Sequence, residues 1–291
     1  MSSPRAPAPA ILWFRHDLRL HDNPALRAAV GHGGSVIPVF IWAPEEEGDW
    51  APGEASQWWL HQSLAHLSEV LQSQGSRLIL RRGGSLNALQ ALVRDTGAQA
   101  VFWNRRYEPV IRQRDDTIQA ALRAEGLTVE RFHAGLLFEP CDISTKTGKP
   151  YQVFTPFWKA CLAEPEPSEP LPPPRHLPAP APWPASQTLD EFDLLPAVDW
   201  ASGIRAAWQP GCQPAAEQLH CFLDQAVDGY EQDRDRPDIV GSSRLSPHLH
   251  VGEISPRQVW HAVRDAALVP GRIGRAQGAE AYGSLRRFLR I

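Results

Sequence analysis

Cysteine is scarce in this sequence. Four residues, Cys141, Cys161, Cys212 and Cys221, are spread over 291 positions. None forms a CxxC pair, and none stands at zinc-ligand spacing from a histidine or a second cysteine. The sequence therefore shows neither a disulfide framework nor a zinc motif, and reduced cytosolic thiols are expected. Long apolar runs are missing as well. No stretch approaches the roughly 20 residues that a membrane span needs. The opening MSSPRAPAPA has no apolar run of the kind a secretory signal carries. The reading is a soluble, cytoplasmic protein with no membrane partner. Phosphate loops of the usual kinds are absent too. There is no GxxxxGK[ST], and GHGGS (Gly31 to Ser35) precedes a strand instead of following one. Nor is there a strong excess of one charge. The formal net charge is -4, which gives no hint of nucleic-acid binding. Only from Gln232 to Ile291 do ten arginines outnumber six acids, a mild excess that also suits a solvated face.

What is present is apolar and aromatic. Hydrophobic residues make up 43% of the chain, enough for a sizeable core, and there are 11 tryptophans. So many large rings suit a scaffold that packs them, including around a cofactor. The runs AILWFR (Ala10 to Arg15), VIPVFIW (Val36 to Trp42), RLILRR (Arg77 to Arg82), AQAVFWN (Ala98 to Asn104) and LTVERF (Leu127 to Phe132) read as buried strands. Helical spacing separates them, through Trp58, Leu60, Leu64, Leu67 and Leu71, and through Ile111, Ile118 and Leu122. Asn23 and Pro24 form a helix cap and first position. This alternation predicts a doubly wound, Rossmann-like α/β domain with a parallel five-stranded sheet over residues 1–135.

Ten of the twenty residues from Pro165 to Pro184 are proline, which excludes helix and central strand there. A connector over 136–205, extended through 165–184, is expected. Beyond it the pattern is helical, and residues 206–291 read as all-α. Leu219, Phe222, Leu223, Ala226 and Tyr230 share a face. Ser255 and Pro256 open a helix through Val259, Trp260 and Val263, and Leu285, Phe288 and Leu289 mark a third.

Four segments are distinctive in their exact wording: ILWFRHDLRLHDNPAL (Ile11 to Leu26), WNRRYEP (Trp103 to Pro109), PYQVFTPFWKA (Pro150 to Ala160) and GSSRLSPHLHVGEISPRQVW (Gly241 to Trp260). In that order they resemble the motifs of the DNA photolyase and cryptochrome family, most nearly the bacterial cyclobutane pyrimidine dimer photolyases. The resemblance implies an antenna domain followed by a helical domain around FAD. It implies light-driven repair of pyrimidine dimers in DNA by electron transfer from reduced FAD. A cryptochrome-like blue-light receptor, or a chromophore carrier without catalysis, are the alternatives. It places Tyr230, Ser242, Ser243, Arg244, Leu245 and Ser246 against FAD. Hydroxyls and a guanidinium suit a diphosphate, and the alternative is a Ser-rich turn with Arg244 in an ion pair. Arg234 matches an arginine at the DNA surface, and a pair with Asp233 or Asp235 is its other reading.

The charges Arg15, Asp17, Arg19 and Asp22 suit either a binding edge or, preferably, a salt-bridge network. His248 and His250, two apart without a third ligand, read as ordinary histidines and not as a metal site. Asn104 and Glu108 are the candidates for antenna-chromophore contacts. The positions that the family uses to hold a folate are Val110 and Ile111 here, so folate in that mode is disfavoured and the chromophore is left open. The ending AYGSLRRFLRI breaks off where the family continues. The expectation is a C-terminally truncated lyase, a monomer when full length, with its catalytic residues in the missing portion, whose 291 residues bind FAD weakly and do not repair DNA unaided.

Overall fold

A computed structural model describes residues 7–268. Five strands form one parallel sheet: β1 (Ala10–Phe14), β2 (Val36–Trp42), β3 (Ile79–Arg82), β4 (Ala100–Asn104) and β5 (Thr128–Phe132), in the order β3-β2-β1-β4-β5. All five lie inside or at the predicted runs. β1 and β2 are buried along their whole length, which is why they read as continuous apolar runs without alternation. Pro38 sits inside β2, opposite Leu12 of β1. It is tolerated because β3 pairs only from Val39 onward, so no β3 partner is lost beside it.

Four helices cover this sheet: α1 (Pro24–Gly31), α2 (Glu54–Ser73), α3 (Ser85–Thr96) and α4 (Pro109–Ala124). Successive strand residues point to opposite faces. Leu12 and Phe14 accordingly pack with Leu26 of α1 and Trp58, Leu64 and Leu71 of α2. Ile11 and Trp13 pack with Leu89 and Leu92 of α3 and Ile118 and Leu122 of α4. Asn23 caps α1 as the sequence predicts, its Oδ1 accepting from the Leu26 N–H at 3.1 Å.

The described residues fall into two compact units. The first comprises 7–135, 171–212 and 250–253; the second comprises 136–170, 213–249 and 254–268. The extended backbone expected from the prolines is present, but from Leu171 onward it lies along the sheet unit. The Val36 N–H donates to the Pro178 carbonyl at 2.7 Å and the Asp22 N–H to the Leu171 carbonyl at 2.7 Å. Leu177, Phe192 and Leu194 are buried in the sheet's core. Prolines cannot donate, but they accept, and that suffices to lay an extended strap on exposed N–H groups.

After a 3-10 turn (Asp190–Phe192) the chain is helical, with no strand among the described residues. α5 (Phe154–Cys161) lies upstream of the strap; α6 (Ser202–Ala207), α7 (Cys212–Gln225), α8 (Tyr230–Asp233), α9 (Ser246–Val251) and α10 (Pro256–Leu268) follow it. Leu219, Phe222, Leu223, Ala226 and Tyr230 share one core cluster as predicted, but the helix breaks between Gln225 and Tyr230. Ser255 caps α10, accepting from the Gln258 N–H at 3.0 Å. Gln258 Oε1 accepts in return from the Ser255 N–H at 2.9 Å, a reciprocal box. The helix predicted through Leu285, Phe288 and Leu289 lies outside the described residues. No described helix is long and apolar enough to cross a membrane.

Candidate functional site

The carboxyl ends of β1 and β2 open onto a small surface cleft. Open α/β sheets bind ligands at this end of their strands. Its walls include Trp13, Arg15 and His16 from β1 and the residues after it, Trp42 from β2, Glu47 from the 3-10 helix Pro44–Trp50, and Arg106 and Arg114. The Arg15 guanidinium pairs with Asp115 at 2.5 Å and also donates to the Asn104 carbonyl. The guanidinium carbons of Arg15 and Arg114 lie 4.9 and 5.2 Å from the centre of the Trp13 ring. Arg114 reaches Asp115 at 2.9 Å and Glu46 at 3.3 Å. Arg106 forks onto Glu47 at 2.5 and 2.9 Å and reaches Glu108 at 2.9 Å. Two buried donors at this cleft have no hydrogen-bond partner among the described residues: Trp13 Nε1 and Arg15 Nε.

The motif charges Arg15, Asp17, Arg19 and Asp22 are buried and hydrogen-bonded, while the ion pair of Arg15 goes to Asp115, outside the motif. Asp17 accepts from the Arg15 N–H at 2.6 Å and from Asn104 Nδ2 at 2.5 Å. Arg19 donates to the Gly252 and Ala134 carbonyls, both at 3.0 Å. Asn104 itself is buried, and its side chain also meets Asn23 Oδ1 at 2.8 Å and the Ala25 N–H at 3.2 Å. It thus joins β4 to the loop before α1. Glu108 is not among the lining residues and bears on the cleft only through Arg106. Burial would raise its carboxyl, but the hydrogen bond and charge of Arg106 outweigh this and hold it at about 2. Burial lowers the His16 imidazole well below its ordinary range, reinforced by the charges of Arg106 and His250. Val110 is exposed and Ile111 buried, and neither side chain can hydrogen-bond.

The second group of predicted residues lies in the helical unit. Tyr230 is buried edge-on against Phe222 at 5.6 Å, and burial raises its phenol so that it stays protonated. Gly241 is required because a Cβ there would overlap the Asp233 backbone. The next residues alternate: Ser242 exposed, Ser243 buried, Arg244 half-buried, Leu245 buried, Ser246 exposed. Leu245 sits in the same core cluster as Tyr230. The Ser243 carbonyl accepts from Gln218 Nε2 at 3.1 Å. Arg244 adopts φ 55°, a strained left-handed backbone for a non-glycine residue. The turn is therefore held from below by Leu245 and Gln218 and presents two hydroxyls outward. Arg234 is part-exposed, its guanidinium 5.6 Å from the Tyr230 ring and its Nε 3.4 Å from Asp235. His248 is buried, and the His250 ring lies 5.0 Å from that of His16. Among the described residues no group of three potential ligands could hold a metal ion.

Sequence reasoning missed Trp13, Arg106, Arg114, Glu46 and Glu47. Trp13 reads as core because it lies inside a strand, and only the register puts it beside the strand ends. The signal for the arginines was their density around WNRRYEP, but pairing them with Glu46 and Glu47 takes the folded chain.

The family model for DNA photolyase matches residues 10–179. The deoxyribodipyrimidine photo-lyase of Agrobacterium fabrum is 48% identical over 258 residues, covering 88% of this chain and 53% of that protein. Cryptochrome-1 of Arabidopsis thaliana is 39% identical over 281 residues, 94% of this chain and 40% of that protein. The crystal structure of a bacterial class III photolyase from Agrobacterium tumefaciens matches with a TM-score of 0.87 and 43% identity, over 99% of this chain and 60% of that one. The chain thus spans about half the length of the curated relatives it matches.

Proposed function

The chain belongs to the DNA photolyase family, and from that premise we propose that it serves light-dependent repair of cyclobutane pyrimidine dimers, as a deoxyribodipyrimidine photo-lyase acting in the cytoplasm and monomeric when complete. The observation that carries the reading is the 48% identity to a deoxyribodipyrimidine photo-lyase along 88% of the chain. The proposed anatomy is an antenna domain at 1–135, a connector at 136–205 and the opening part of an FAD-binding helical domain from 206.

Tyr230, Ser242, Ser243, Arg244, Leu245 and Ser246 are the proposed FAD contacts. The donor set fits: exposed hydroxyls at Ser242 and Ser246 and a guanidinium at Arg244 suit a diphosphate. When bound and reduced, FAD supplies the photo-excited electron that splits the dimer. The protein's part is to hold and shield. Leu245 fixes the turn in the core, Gln218 fixes the Ser243 carbonyl, and Tyr230 closes the apolar side. Arg234 is proposed to contact a DNA phosphate, adding affinity without sequence preference. A lesion costs only a few kcal/mol to extrude, so such a contact can hold the strand while the dimer leaves the stack.

The cleft of the α/β unit is the proposed antenna site. The walls that Trp13, Phe40, Trp42 and Leu60 give it suit a flat chromophore ring. Glu108 bears on it through Arg106, and Asn104 through Arg15. Folate held in the family's usual mode is not favoured.

The test is dimer splitting. Joining this sequence to the remaining portion of the Agrobacterium photolyase, loading FAD, reducing it and applying blue light to dimer-bearing single strands should restore pyrimidines. The 291-residue chain assayed alone is expected to bind FAD weakly and to split none. A second reading, a cryptochrome-like receptor, is supported by the 39% identity to an Arabidopsis cryptochrome over 94% of the chain. FAD-loaded fusion protein that absorbs blue light yet splits no dimers would favour it and overturn repair.

A further inference from the structure

We propose that Cys212 is a modification site: its thiol, activated by His66, attacks a low-molecular-weight disulfide and is converted to a mixed disulfide. The inference stands apart from the repair reading. It concerns the sheet unit alone, to which His66, Gly211, Cys212 and Glu253 all belong.

The two side chains are close, and both are held. Cys212 Sγ lies 3.4 Å from His66 Nε2, a nucleophile and a base within hydrogen-bond reach. His66 stands on α2, and Cys212 is the first residue of α7, 146 positions later. Gly211 lets them meet. A Cβ there would come within 2.8 Å of the His66 ring, and its φ of 130° is one that side chains rarely adopt. Glu253 is 2% exposed and fixes the approach. Its Oε1 accepts from the Gly211 N–H and from Ser63 Oγ, both at 2.6 Å. Ser63 is one turn before His66 on α2, so Glu253 ties the backbone beside the thiol to the helix of the base. Cys212 and His66 are each half-buried, open in part to solvent.

Three effects favour reaction at this sulfur. His66 can take the thiol proton, and the imidazolium then faces the sulfur as a counter-ion. α7 runs for 14 residues, so its start carries the partial positive charge of a full helix. The Glu253 carboxylate, bonded to Gly211, favours the protonated imidazole. Glu217, further along α7, is engaged by Gln213 Nε2 at 2.9 Å. The other thiols lack this setting. The hydrogen bond and charge of Asp142 raise the Cys141 thiol, and burial raises that of Cys161. Cys221 is exposed, and the histidine next to it, His220, pairs with Asp224 at 3.0 Å. In the proposed step the Cys212 thiol gives its proton to His66 Nε2. The thiolate attacks one sulfur of the disulfide, a new S–S bond forms and the old one breaks. The departing thiolate takes the imidazolium proton, so the reagent is reduced as Cys212 is oxidised.

Oxidised glutathione, added to the intact 291-residue chain over a range of pH, tests this, with the modified cysteine identified by peptide mass mapping. Glutathionylation is expected first at Cys212, about tenfold faster than at Cys221 at pH 6.5, although Cys221 is the more exposed. The Cys212 rate should reach half its maximum well below the roughly 8.5 of an ordinary thiol, and the Cys221 rate near it. His66→Gln keeps a polar side chain but cannot take up a proton. It should carry the Cys212 midpoint up to the ordinary range and leave Cys221 unchanged. A Cys212 rate no greater than that of Cys221, or a Cys212 profile unmoved by His66→Gln in a folded variant, would overturn the inference. The comparison of the two cysteines needs no variant, so it decides even should His66→Gln fail to fold. Dimer splitting is unaffected by either result.

Discussion

Asn104 shows how one side chain can close several accounts. Its amide meets Asp17, Asn23 and the Ala25 N–H in a buried site. Asn104→Ala would leave all three short of a partner, at a cost of about 2–3 kcal/mol, readable as a lowered urea midpoint with an unchanged slope. The residue was legible in the sequence as a polar end to a strand, but its partners were not, since they lie about 80 and more positions away. Glu108 is a different case. Its folded pKa of about 2 lies below its ordinary 4.5, so its contribution is fully present above 4.5 and is lost as pH falls toward 2. Its side chain is 53% exposed, so solvent screening keeps that contribution under about 1 kcal/mol. A carboxyl titration by NMR should give a midpoint near 2, and Arg106→Ala should move it upward.

At the scale of elements, three helix starts and one close approach set the fold's local geometry. α3 begins after Gly84, which offers no side-chain cap. Glu46, from the 3-10 helix far back in the chain, accepts from Ser85 instead. Glu46→Ala should cost about 1 kcal/mol and speed amide exchange in the first turn of α3. Capping by Asn23 and by Ser255 was readable because donor and acceptor lie three residues apart. Capping by Glu46 was not, because nothing local links it to Ser85. Gly252 has φ 75°, and a Cβ there would overlap the His16 carbonyl. Gly252→Ala is expected to destabilise by on the order of 3 kcal/mol, seen as a drop in Tm. The motif that carries Gly252 was recognised for its serines and histidines, while the need for a bare backbone appears only once His16 is beside it.

For the whole molecule, the sheet unit is not one continuous stretch. Leu177, Phe192, Leu194 and Ala201 from the strap, and Val251 from further on, complete its core. A chain of residues 1–135 alone should therefore expose apolar surface. It is expected to bind a hydrophobic dye and to unfold with less cooperativity than the 291-residue chain, both measurable by fluorescence and denaturant titration. Proline content had marked this strap as extended and non-helical. Where it lies depends on which N–H groups its carbonyls meet, those of Asp22 and Val36, which no composition reveals.

Strand periods, helix faces, local caps and the four ordered motifs are properties of neighbouring residues. They were readable in the chain because propensity and hydrophobic spacing act over a few positions. That is why the α/β-then-α architecture and the family could be reached without coordinates. The cleft with its two unpaired donors, the pairing of each nearby arginine with an acid, and the strap's docking were decided by tertiary structure alone. These depend on which distant groups meet in a buried, weakly screening interior, and sequence separation carries no record of that.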